Sequence, residues 1–305
     1  MTTLQFLLPK AGISYPPSFS ELASALPTSL DPEWPGFAFG IFVWTWRTLL
    51  ELRAAGLECV RVETLPRSGI VFAHPDALPP RLTPTPGRTI ICFQADRAAP
   101  NGVDALLFQS PIGIRHRFKL MLSRLPHAYV PHWTTLGLAP RSEDRGYRIE
   151  SLAYFGRSHN LDPDLQSDSW AKWCDENGFR WNVVTEPARW HDYRSIDAII
   201  ALRPPQKQNR QSKPPSKLLN AYQAGVIPIL GNEPSYRAEG KPGRDYITAK
   251  TVDDVKHELL SLRDSLKPER MFKNIKAQAA RTDIEQLRAR WIAAIEKLAC
   301  AHRGL

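Results

Sequence analysis

From residue 150 onward the chain alternates short apolar runs with helical patterns, and this alternation limits the fold more than any other feature. The runs ESLAYFG (150–156), RWNVVTE (180–186), DAIIALR (197–203), VIPILG (226–231) and DYITAK (245–250) have strand length and strand composition. Between them lie helical segments: 163–177, stopped by Gly178; the stretch SKPPSKLLNAYQAG (212–225); and TVDDVKHELLSLRD (251–264). Strands that alternate with helices are joined by crossovers and therefore run parallel, so a doubly wound α/β sheet is predicted.

The first half is less regular. Strand-like runs occur at 4–9, 58–65, 69–74, 88–94 and 104–110, and GIFVWTWRTLLELRAAG (40–56) reads as a helix with Gly56 as its stop. At 305 residues the chain exceeds one domain of roughly 150 residues. The polar, turn-rich APRSEDRGYRI (139–149) suits a linker, which predicts an N-terminal α/β domain over 1–145 and a second over 146–280. Residues 281–305 form a last helix, with Thr282 and Glu285 as a capping box and Ile284, Leu287, Trp291, Ile295 and Leu298 as an apolar stripe that must dock on another element.

A formal charge of +9 favours anionic partners. No helix-turn-helix, zinc or RNA-binding signature accompanies it, so nucleic acid is not the expected partner. The four cysteines stand far apart without metal-ligand spacing, as reduced thiols do in the cytoplasm. No signal peptide is read at the start, and the longest apolar run stops at Arg47, short of the roughly 20 residues that span a bilayer. A cytoplasmic protein is expected.

The segment 212–225 carries the chemistry. Pro214 or Pro215 can open a helix, since the first helical residue needs no amide hydrogen. A helix beginning near Lys213 turns its positive end toward the preceding loop, which lies at the carboxyl end of a strand. Lys213 and Lys217, four apart, then share the first turn with Ser216 and form a site for a diphosphate. A solvated basic turn accounts for the same spacing equally well.

The stretch KPPSKLLNAYQAGVIPILGNEPSY resembles the donor-binding helix and strand of the GT-B-fold glycosyltransferases, with Ala224, Gly225, Val226, Pro228, Ile229 and Glu233 at the matching places. LAYFGR (152–157) is similar to the family's first strand of the C-terminal domain. The resemblance covers roughly residues 150–265 and implies two Rossmann-like domains flanking a cleft, with the C-terminal helix docking across. It also implies transfer of a sugar from a nucleotide-diphosphate sugar to a hydroxyl acceptor, a glycan or a lipid-linked acceptor, in polysaccharide or glycoconjugate synthesis.

Donor diphosphate would be held by Gly156, Arg157, Lys213, Ser216 and Lys217. Donor sugar and nucleoside would meet Arg203, Asn220, Glu233, Ser235 and Tyr236. Where many retaining relatives carry two glutamates, this chain has Ser212 and Asn220. No Asp-x-Asp motif asks for a metal, and no cofactor is expected.

In such a fold the first domain supplies the acceptor side. His74 and Asp96, at strand ends, are the candidate bases. Gln94, Arg97 and His132 stand at similar places, and Trp34 with Gly36 offers a stacking surface for a sugar. Each has an ordinary structural alternative, as a loop cap or a core aromatic. The basic amphipathic stretch 112–125 would rest on anionic lipid, giving peripheral membrane contact, or pack as a surface helix. A protein that binds the donor without turning it over is the second functional reading.

Overall fold

The structure is a computed structural model, and it describes residues 3–9, 31–34, 36, 39–94, 97–110, 125–207 and 213–303. The chain falls into two compact units. One comprises the residues up to Trp133, the last helix and the few residues around Lys213; the other comprises the rest of Thr134–Asp283.

The first unit holds a six-stranded sheet of β1 (Leu4–Leu7), β2 (Cys59–Val62), β3 (Gly69–Ala73), β4 (Arg88–Gln94), β5 (Ala105–Phe108) and β6 (His127–Tyr129). Their order is β2-β1-β3-β4-β5-β6, and every pair is parallel. Strand β4 coincides with the run read from the sequence; β6, three residues long, carries too little pattern to be seen there. The expected helix is present as a π-helical turn, Ile41–Trp46, that continues into α1 (Arg47–Ala54).

The second unit holds β7 (Ser151–Phe155), β8 (Arg180–Val184), β9 (Ala198–Ala201), β10 (Ile227–Leu230) and β11 (Ile247–Thr248) in the order β11-β10-β9-β7-β8, again all parallel. Its helices are α2 (Asp168–Glu176), α3 (Ser216–Ala224), α4 (Pro234–Glu239), α5 (Val252–Arg263) and α6 (Lys267–Arg281). Helix α3 ends at Gly225 with φ 67°, a left-handed stop that glycine takes without the steric cost of a side chain. Strands β9 and β10 are buried throughout, as strands covered on both faces must be.

The sequence in each sheet steps out one way and then the other. β7 leads to β8 on one side and β9 on the other, so the winding reverses between β7 and β9, where the carboxyl ends leave a crevice.

The segment 139–149, expected as a linker, is bound tightly into the second unit. Ala139 bridges Asp192, and the amides of Arg141 and Ser142 donate to the carbonyls of Ala224 and Arg194. Asp197, fully buried, then takes Arg145 through both carboxylate oxygens, Arg141, and the amides of Glu150 and Ser151. Burial pushes the Asp197 carboxyl up, but these donors more than offset it and hold the pKa below the ordinary value.

Helix α7 (Ile284–Arg303) belongs to the first unit, and the expected stripe is its inner face: Leu287, Trp291, Ile295 and Leu298 are buried. Trp291 stacks on Trp133 at 5.0 Å and donates its indole N–H to the Pro131 carbonyl. Arg288 meets the buried Glu51 at 2.7 Å, and Glu51 also takes Arg47 from the preceding turn of α1. The expected capping box is absent. Thr282 ends α6 instead, donating its hydroxyl to the Gln278 carbonyl and accepting from Gln223.

Candidate functional site

In the second unit the crevice between β7 and β9 gathers several of the expected donor residues. Gly156 follows β7, Arg203 follows β9 by two residues, and Glu233 follows β10. Arg203 and Glu233 form an ion pair at 3.2 Å that is largely shielded from solvent, and Arg203 also reaches the Asn160 side chain at 3.3 Å.

Lys217, in the first turn of α3, turns back toward β7. Its ammonium lies 4.6 Å from the centre of the Tyr154 ring and donates to the Phe155 carbonyl. Beside it, Gly156 has φ 147°, and a Cβ there would stand 2.8 Å from the Tyr154 hydroxyl and 3.0 Å from the Lys217 ammonium. Glycine is required at this place on both counts, conformation and space.

Burial pushes the Tyr154 phenol up to about 12, with Arg203 pulling against it. The phenol therefore keeps its proton and donates to the Arg157 carbonyl at 3.1 Å, which fixes the turn that carries the exposed Arg157. No side chain caps the start of α3, so its first amides point into the loop together with the positive end of the helix dipole.

Other expectations are corrected by the geometry. Pro215 is the residue before α3, which begins at Ser216, so Lys213 precedes the helix and does not share a turn with Lys217. The residues around Lys213 group with the first unit. Asn220, expected at the sugar or nucleoside, uses its carboxamide inside the unit: it accepts the Thr135 amide at 2.9 Å and donates to the Thr135 hydroxyl at 2.6 Å. Ser235 is fully buried at the start of α4, and Tyr236 packs in the core against Tyr246.

On the first unit's sheet the carboxyl ends place His74 and His132 after β3 and β6, and Gln94 as the last residue of β4. His74 is a cap. Its Nδ1 accepts the Asp76 amide at 3.2 Å at the head of a 3-10 turn and lies 3.5 Å from the Asp76 carboxylate. Nε2 faces Gly40, where a Cβ would stand 2.9 Å away. Arg97 pairs with Asp76 at 3.0 Å, and both line an open pocket of about 440 Å³ with Pro75, Leu78 and Pro100.

Trp34, half-buried, packs edge-on against Phe42 and Trp46, its ring filling the space over Gly36. His132 lies edge-to-face on Trp44 at 4.2 Å. Gln109, next after β5, carries no motif in the sequence; it is fully buried, and among the described residues neither end of its carboxamide has a hydrogen-bond partner. Asp96 and the stretch 112–124 lie outside the described residues, as does Ser212.

No family model and no curated protein matches the sequence. Solved structures do match. TarM aligns with a TM-score of 0.53 at 6% identity over 81% of this chain and 58% of its own, so this chain spans little more than half of TarM's length. A glycosyltransferase from Rickettsia africae aligns at 0.52 with 6% identity, covering 98% of both chains. Anabaena HepE, crystallised with UDP and glucose, aligns at 0.50 with 10% identity, covering 97% of this chain and 100% of its own. The fold is that of the GT-B glycosyltransferases.

Proposed function

On this fold, we propose that the chain is a glycosyltransferase whose donor is a nucleotide-diphosphate sugar, and that the diphosphate lies at the crevice between β7 and β9. The observation that carries the reading is the approach of Lys217 to Gly156. An ammonium, the uncapped start of α3 and the Arg157 turn converge where only a glycine backbone fits.

The chemistry follows from where charge develops. As the bond from sugar to phosphate breaks, negative charge accumulates on the departing diphosphate. Lys217, Arg157 and the α3 dipole stabilise that charge more in the transition state than in the bound donor, which lowers the barrier. The Phe155 carbonyl and the Tyr154 ring hold the ammonium beforehand, so it need not be ordered during the reaction. Arg203 and Glu233 bound the crevice on the side of β9 and β10.

The acceptor is assigned to the first unit, near Arg97 and Gln94, in the pocket at the ends of β3 and β4. His74, as a cap, serves there by shaping the turn. A glycan or lipid-linked hydroxyl remains the acceptor class.

Thermal shift against UDP-, GDP-, ADP- and CMP-sugars tests the reading, because a ligand that binds only the folded state raises its melting temperature. A shift with one nucleotide, lost in Lys217→Ala, is expected; no shift with any of them would sink the proposal. One observation favours the second reading, a protein that binds donor without transfer: α3 carries no carboxylate, and Asn220 is committed to Thr135. Donor binding with neither hydrolysis nor transfer, across an acceptor panel, would decide for it.

A further inference from the structure

Helix α6 packs into the second unit through Pro268, Met271, Ile275 and Gln278. Its opposite face is basic: Arg270, Lys273, Lys276 and Arg281 are all exposed, and among the described residues none of the four makes an ion pair. Glu269 is the one acidic residue of the helix. Spacings of three and four place Arg270, Lys273 and Arg281 along one side, with Lys276 at its flank.

The head of this row is apolar. Leu266, immediately before α6, is 84% exposed, the most open of the large hydrophobic side chains among the described residues. Tyr147, 58% exposed, is stacked on Phe272 of α6 at 6.1 Å. Leu266 and Tyr147 flank a pocket of about 410 Å³, lined also by Arg148, Leu262 and Pro268. The pocket lining itself is mixed in charge, with Arg148 and Arg263 beside Glu150 and Glu269, so the cations of the proposal are those of the exposed α6 row.

A nucleic acid or another soluble polyanion would use the cations and gain nothing from a leucine held out in water. A bilayer surface uses both: headgroup phosphates meet the basic row, the leucine enters the acyl boundary, and tyrosine suits the level between them. We propose that this face of the second unit, Leu266 with the Arg270, Lys273, Lys276 and Arg281 row, docks on an anionic lipid bilayer. The proposal stands independently of the donor chemistry.

Flotation of the full chain with phosphatidylcholine vesicles, with and without phosphatidylglycerol, tests it. The protein is expected to float only with the anionic vesicles and to be released by salt. Arg270→Glu combined with Lys273→Glu should lower partitioning at least about tenfold, and Leu266→Ser by a smaller factor. Circular dichroism melts matching the parent would show that these exposed substitutions leave the fold intact.

Three results would overturn the proposal: equal flotation or none with both vesicle types, charge-reversal variants that float like the parent, or Leu266→Ser without effect while duplex DNA binds as tightly as the anionic vesicles. The last would mark a general polyanion surface.

Discussion

The two edges of the second sheet carry charge in opposite ways. At the amino edge, Asp197 receives two arginines and two backbone amides, so a buried carboxylate is met on every side. At the carboxyl edge, Lys217 donates to a backbone carbonyl and lies over an aromatic face. A charge surrounded by countercharges built into the fold holds the fold together. A cation leaning on a carbonyl and a ring is attracted more strongly by an arriving phosphate dianion.

The largest test of this contrast is Asp197→Ala. It leaves Arg141 and Arg145 facing a buried hole and two amides without an acceptor, and should destabilise the protein by about 3–5 kcal/mol in denaturant unfolding. A loss below about 1 kcal/mol would mean that the amino edge is no lock.

Lys217→Ala comes next, with the opposite signature. Turnover of donor should fall about 100-fold, while the melting temperature without ligand stays close to the parent's. If stability falls and donor turnover does not, the two edges are alike and the contrast is lost.

Gly156→Ala sits between the two. Its φ of 147° and the short approaches to Tyr154 and Lys217 predict a cost of about 1–3 kcal/mol together with weaker donor binding. Both effects should appear in one pair of melts, with and without nucleotide sugar.

The smallest effect is in acid. Because the folded-state pKa of Asp197 is depressed, its contribution is fully present above the ordinary Asp value of 3.8 and is lost as pH falls through the lower folded value. The stability gap between the parent and Asp197→Ala should therefore narrow on acidification below that value. A gap that stays constant down to the acid transition would show that Asp197 is not the linked group.

Much of the fold was legible because its signals are local. The helix stops at Gly56 and Gly178, with φ of 85° and 75°, each depend on residues within about four positions. Misreadings arose where a local signal had a distant competitor. Thr282 carries the pattern of an N-terminal cap, but Gln223, far away in sequence, takes its hydroxyl. Helix α6 is amphipathic, with Met271, Ile275 and Gln278 buried at helical spacing, but no capping side chain marks its start, and it went unread.

Sequence alone determined the parallel α/β character of the second unit and the inner face of α7, since periodicity is a property of short segments. Tertiary structure alone decided what each polar group meets. Asp197 finds Arg145 across 52 positions, Lys217 finds Phe155 across 62, and Asn220 turns to Thr135 across 85. The physical reason is that a buried polar group takes whichever partner the winding of the sheet brings within about 3 Å, and that winding is set by the whole chain rather than by any stretch of it.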